Sequence, residues 1–162
     1  MSKQVSVLFV CLGNICRSPT AHAVFRNKVA DSGLSESVRI DSAGTGHWHV
    51  GKPADRRASQ VAASKGIEMA DLRARQVDLG DLIAFDYVLA MDEANFQDLK
   101  AMALPEHHAK IHRFLDFAPQ YEETQVPDPY YGGADGFEWV FELVEAASDG
   151  LIAQIEQDLA KT

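Results

Sequence analysis

At 162 residues, with 46% hydrophobic and 24% charged residues, the chain has the size and balance of one globular domain, which excludes disordered, collagen-like and low-complexity classes. Its longest unbroken apolar stretch, Val7 to Leu12, is far short of the roughly 20 residues of a membrane span, and Met1–Val10 has neither a basic leader nor a small-residue cleavage site, so a soluble, cytoplasmic protein with no membrane partner is expected. The net charge of −9 argues against nucleic acid, yet residues 1–85 carry 11 Lys/Arg against 8 Asp/Glu while residues 86–162 carry 4 against 16; an anion belongs in the first half.

Val5–Val10 is apolar with little alternation, as in a strand buried on both faces of a parallel sheet. A short loop, Cys11-Leu12-Gly13-Asn14-Ile15-Cys16-Arg17-Ser18, leads into a helix for which Ser18 is the expected cap and Pro19 the first turn, with Ala21, Val24, Phe25 and Val29 on one face and Gly33 as the stop. Val38–Ser42 reads as a second strand, Ala43–Pro53 as a glycine-rich irregular loop around Trp48, and Ala54–Lys65 as a helix ending at Gly66. Tyr87–Ala90 follows as a third strand, Asp92 opens a helix through about Met102, and Ile111–Phe114 is a fourth strand. Val126–Gly133 is too rich in Pro and Gly for either element; Phe137, Val140, Phe141, Val144 and Leu151 mark a closing helix as a core stripe. The expected fold is a single α/β domain over residues 1–162: an open, parallel, four-stranded sheet with helices on both faces and a phosphate-binding loop after the first strand.

Ligands of such sheets bind where strands hand over to helices at their carboxyl ends, and Cys11 stands there. The N–H groups of a short loop ending at a helix N-terminus converge on a point suited to an oxyanion, and Arg17 adds a planar fork for two of its oxygens. The same charges favour thiolate over thiol at Cys11, whose unperturbed pKa is about 8.5, and make it a nucleophile at neutral pH. His108 and His112 stand four apart, but Pro105 and the lack of nearby cysteines argue for a solvated segment around His107, His108 and His112; no metal or organic cofactor is expected.

The loop in the form CLGNICRSP resembles that of the low-molecular-weight protein tyrosine phosphatases, and the resemblance continues in Asp41-Ser42-Ala43-Gly44-Thr45, Ala74-Arg75-Gln76, Phe85-Asp86-Tyr87, Met91-Asp92 and Asp128-Pro129-Tyr130-Tyr131. It implies that Cys11 forms a phosphocysteine, that Arg17 and the amides of Leu12, Gly13, Asn14, Ile15, Cys16 and Ser18 hold the phosphoryl group, and that Asp128 serves as general acid and then base. It further implies that Asn14, Ser18 and Ser42 form a network shaping the loop, supported by Asp92, that Trp48, Tyr130 and Tyr131 wall the site for a phosphotyrosine ring, and that Cys16 is a redox partner of Cys11. Substrates would be tyrosine-phosphorylated proteins, with a tyrosine kinase among the candidate partners. One departure stands out: Leu72 occupies a position where many members of the family have histidine, so the network near Asp92 must be replaced or absent.

Two other readings fit part of the pattern. A thioredoxin-linked arsenate reductase shares the loop but needs further cysteines downstream, and none follows Cys16; a non-catalytic phosphate-binding module has no use for both Cys11 and Asp128.

Overall fold

The computed structural model describes residues 4–129 and 134–161. Tyr130 and Tyr131, the expected second aromatic wall, lie outside the described residues. Strand β1 (Val5–Cys11) is the hub of a four-stranded parallel sheet, pairing on one side with β2 (Val38–Gly44) and on the other with β3 (Tyr87–Ala90), beyond which lies β4 (Ile111–Arg113). The order β2-β1-β3-β4 leaves β1 flanked on both sides, so its residues are wholly buried from Val7 to Val10. This is why the sequence shows no polar alternation there.

Alternate residues of β1 feed two cores. Val7, Phe9 and Cys11 face the layer of α1 (Arg17–Asp31), α2 (Arg56–Ser64) and α5 (Ala134–Ala160); Leu8 and Val10 face α3 (Leu79–Ala84) and α4 (Glu93–Met102). Phe9 anchors the first core with edge-on contacts to Phe25 and Phe114, at centroid separations of 5.5 and 5.1 Å. Helices therefore cover both faces, as the apolar patterning predicts.

Several expected boundaries move, each for a local reason. Strand β2 runs two residues past Ser42 because Gly44 lets the chain lie against the nucleophile loop: a Cβ there would sit 2.6 Å from the Leu12 carbonyl oxygen. Helix α1 begins at Arg17 with Cys16 as its cap residue, so Ser18 is not the cap; its hydroxyl is committed elsewhere. Asp55 caps α2 by accepting from Arg57 N–H, and Asp92 caps α4 by accepting from Asn95 N–H, as its position predicts. The short α3 is absent from the sequence reading. Its signal was a reciprocal capping box between Asp78 and Asp81, too short a segment to show helical periodicity. Residues Pro105–Lys110 form a 3-10 turn, and His112 is half-buried between Tyr87 and Phe117 rather than solvated, because β4 carries it into the edge of the sheet.

Candidate active site

Cys11 ends β1, and the chain must then leave the sheet plane and enter α1 within six residues. That reversal is made by Asn14, at φ +57°, the left-handed conformation that Asn tolerates better than other side chains. Its amide Oδ1 accepts from Arg75 N–H at 3.0 Å, fixing the loop from below. Arg75 is in turn clamped by Asp41 and Asp81, and the Gly44 N–H donates to the Arg75 carbonyl. Farther along, Asp55 N–H donates to the Ile15 carbonyl at 2.7 Å, tying the start of α2 to the same loop.

The Cys11 sulfur is surrounded by donors. Asn14 N–H donates to it at 3.3 Å, and Ser18 Oγ lies 3.0 Å away. Asn14 Nδ2 donates to Ser18 Oγ at 2.8 Å, so the serine's single proton is left for either Cys11 Sγ or the Ala43 carbonyl, the latter at 3.4 Å. The nearer acceptor is the sulfur. The side chains of Asn14 and Ser18 are buried behind the loop and do not line the cleft; the Ser18 hydroxyl faces the sulfur. Among the described residues, the N–H groups of Gly13, Ile15, Cys16, Arg17 and Ser18 donate to no protein acceptor. They leave unpaired donors at the N-terminal end of α1, an arrangement that suits an anion.

Arg17 is 3% exposed and is oriented by one of its nitrogens: Nη1 donates to Asp92 Oδ2 at 2.7 Å and to the Val126 carbonyl at 3.1 Å. Burial opposes the charge of Arg17, but Cys11 and the Asp92 and Asp128 carboxylates outweigh it and raise its pKa. Leu72 packs into the core on the α1–α5 side, so Asp92 takes its partners from Arg17 and Asn95 in place of a histidine. Ser42 shares no hydrogen bond with Ser18; its hydroxyl pairs with His22 Nδ1 at 3.0 Å.

The cleft above the loop has a volume of about 390 Å³ and is lined by Cys11, Leu12, Gly13, Ile15, Cys16, Arg17, Trp48, His49 and Asp128. Asp128 reaches it from the segment after Val126, with Oδ2 3.7 Å from Arg17 Nη2. Trp48 stands on the rim, 63% exposed and stacked on His47. Its ring lies over Gly46, where any Cβ would be 1.8 Å from Cζ3. His49 was not singled out from the sequence; its ring covers Gly13 closely, a Cβ there falling 2.9 Å from Cδ2, and only tertiary packing reveals this. Cys16 is buried, and burial together with the nearby Asp55 carboxylate raises its thiol pKa above the usual range. Both cysteines are free thiols.

A thiol cradled by hydrogen-bond donors at a helix N-terminus, with an anchored arginine and a carboxylate across the cleft, defines a class of phosphate-handling site, and the comparisons agree. The family model described as low molecular weight phosphotyrosine protein phosphatase matches residues 6–161, and the chain belongs to this family. It is 43% identical over 154 residues to the low molecular weight protein-tyrosine-phosphatase YfkJ of Bacillus subtilis, covering 95% of this chain and 97% of that one. A human low molecular weight phosphotyrosine protein phosphatase is 45% identical over 139 residues, covering 85% of this chain and 87% of its own length. The crystal structure of a protein tyrosine phosphatase from Entamoeba histolytica with Hepes in the active site superposes with a TM-score of 0.93 at 41% identity, covering 96% and 99% of the two chains.

Proposed function

We propose that the protein hydrolyses phosphotyrosine in proteins, and aryl phosphates generally, through a phosphocysteine on Cys11. The observation that carries this reading is the convergence on one sulfur of the Asn14 N–H and the Ser18 hydroxyl, with Arg17 and Asp128 lining the same cleft. Cys11 thiolate attacks phosphorus while the P–O bond to the leaving group breaks, and Asp128 delivers its proton to that oxygen. Asp128 then takes a proton from water as the water attacks the phosphocysteine, releasing phosphate and the thiolate. With Nη1 held by Asp92, the Nε and Nη2 edge of Arg17 presents two donors to the equatorial oxygens. Trp48 forms one aromatic wall for the substrate ring.

Cys11→Ser should abolish turnover of an aryl phosphate, with or without chelator, while inorganic phosphate still binds, because the amides and Arg17 remain. Asp128→Asn should slow hydrolysis about 10²–10⁴-fold for poor leaving groups such as phosphotyrosine and much less for nitrophenyl esters. Activity retained by Cys11→Ser, or equal Asp128→Asn losses across leaving groups, would overturn these roles.

A nucleophilic thiol at the floor of an open cleft requires a reducing compartment, which supports a cytoplasmic location. Cys16 serves as a redox partner: peroxide converts Cys11 to the sulfenic acid, and the Cys16 thiol displaces water from it to give a disulfide that dithiothreitol reduces. Equal recovery of peroxide-treated wild type and Cys16→Ser after dithiothreitol would remove that role. Partners on this reading are tyrosine-phosphorylated proteins, a tyrosine kinase among them.

A further inference from the structure

Among the described residues, the buried polar set contains two ionisable side chains besides the cysteines, Arg17 and His22, and the reaction above uses only the first. His22 lies one turn beyond Ser18 on α1, so the two side chains share a face. That face meets consecutive residues of β2: Ser18 Oγ reaches the Ala43 carbonyl, and His22 Nδ1 reaches Ser42 Oγ at 3.0 Å. Ser42 is held on its other side as well, its N–H donating to Asp41 Oδ1 at 2.8 Å. Asp41 also accepts from Arg75, the residue whose N–H fixes Asn14. Both supports of the sulfur, Ser18 and Asn14, therefore trace back to the Asp41–Ala43 segment, and His22 makes the shorter of the two side-chain hydrogen bonds that bind this segment to α1.

We propose that His22 is a positioning residue for the phosphatase reaction, acting through Ser42 to fix the end of β2 and so to hold the Ser18 hydroxyl on the Cys11 sulfur. The proposal rests on the reading of Cys11 as nucleophile. Without the His22–Ser42 bond, the end of β2 shifts against α1, and the Ser18 proton divides its time between the Ala43 carbonyl and the sulfur. The sulfur then loses a donor when it attacks and when it is expelled. Ground-state binding is untouched, because His22 does not line the cleft.

The charged groups around His22 suit an uncharged, hydrogen-bonding imidazole. Burial lowers its pKa to about 4, Arg26 one turn farther along α1 acts in the same direction, and Asp41 on β2 and Asp71 after α2 oppose it. Asp71 is itself engaged by Arg26 at 2.8 Å. His22 is therefore neutral through the range in which a phosphatase works.

The experiment compares His22→Phe, which keeps a ring but no hydrogen bond, with His22→Asn, whose amide places a polar atom where Nδ1 stands. Both are measured alone and with Ser42→Ala, using an aryl phosphate and inhibition by inorganic phosphate. Loss of one buried hydrogen bond should lower kcat of His22→Phe about 5–10-fold, with KM and phosphate inhibition within about twofold of wild type. His22→Asn should restore most of kcat, Ser42→Ala alone should show the same loss, and His22→Phe should add less than about twofold to it. Equal losses in the Phe and Asn variants, equal costs of His22→Phe in both backgrounds, or KM rising in step with the fall in kcat would each overturn the proposal. If His22→Phe does not fold, a normal kcat in Ser42→Ala overturns it on its own. A wild-type protein inert toward aryl phosphates fails differently, by removing the reading on which the proposal rests.

Discussion

The two sides of the nucleophile loop are built by different physics. Behind it, the buried pairs Asn14–Ser18 and His22–Ser42 are each joined by a hydrogen bond, of 2.8 and 3.0 Å, and Arg75 is clamped by two carboxylates. In front, Leu12 and Trp48 are exposed; the backbone is tied by the Gly46 N–H donating to the Leu12 carbonyl at 2.9 Å, but the side chains pack as rings over glycines, Trp48 over Gly46 and His49 over Gly13. A buried polar network leaves no adjustment, since each group that loses its partner is stranded away from water. An exposed apolar rim adapts. The inner side should therefore govern the rate of the chemistry, and the outer side the choice of substrate.

The sharpest way to break this division is at the inner side, with Gly44→Ala. The new Cβ meets backbone, 2.6 Å from the Leu12 carbonyl oxygen and 3.1 Å from Asn14 N, so the loop itself must move. A displacement of about 1 Å at a reacting group costs roughly 10²-fold, and aryl-phosphate kcat should fall by that order for every leaving group. Steady-state kinetics on two esters checks this; a kcat near wild type would show that the loop is not held as tightly as its contacts imply.

At the rim the expected effect is smaller and different in kind. In Gly46→Ala the three atoms nearest the added Cβ all belong to the exposed Trp48 ring, which can swing away. Gly46→Ala and Trp48→Ala should therefore behave alike, each lowering the preference for aryl over alkyl phosphates by roughly 3–10-fold, the worth of one aromatic contact, with little change in phosphate affinity. A change in aryl preference in one variant but not the other would separate the position of the ring from its presence.

The last effect is one of stability rather than rate, appears only on acidification, and concerns the titration of His22. Its folded pKa of about 4 lies below the 6.5 of a free histidine, so the unfolded chain takes up a proton that the fold refuses. Above pH 6.5 both states are neutral and nothing is lost; as pH falls from 6.5 toward 4 the fold is progressively destabilised, in total on the order of 3 kcal/mol. Thermal melts of His22→Phe across that window should show a shallower pH dependence than wild type. Parallel curves would mean that His22 titrates much as it does in the unfolded chain.

Much of this protein was legible in its sequence, and the legible part was local. The apolar run of β1, the change to helical spacing after Arg17, the cap at Asp92 and the stripe from Phe137 to Leu151 all follow from the periods of strand and helix, which a chain carries in its own residue order. The loop from Cys11 to Ser18 was equally visible, because an anion site at a helix N-terminus is assembled from consecutive residues. What tertiary structure alone decided is how distant residues meet: Arg17 with Asp92, Arg75 N–H with Asn14, His49 over Gly13, His22 with Ser42. It also reassigned Ser18 from helix cap to sulfur ligand, since its hydroxyl had a buried thiol and an asparagine amide within reach. These pairings span 20 to 75 residues of chain in the hydrogen-bonded cases, and a hydrogen bond depends on distance and angle to a few tenths of an ångström. No residue spacing encodes that; the packing of α1 against β2, and of both against β1, does.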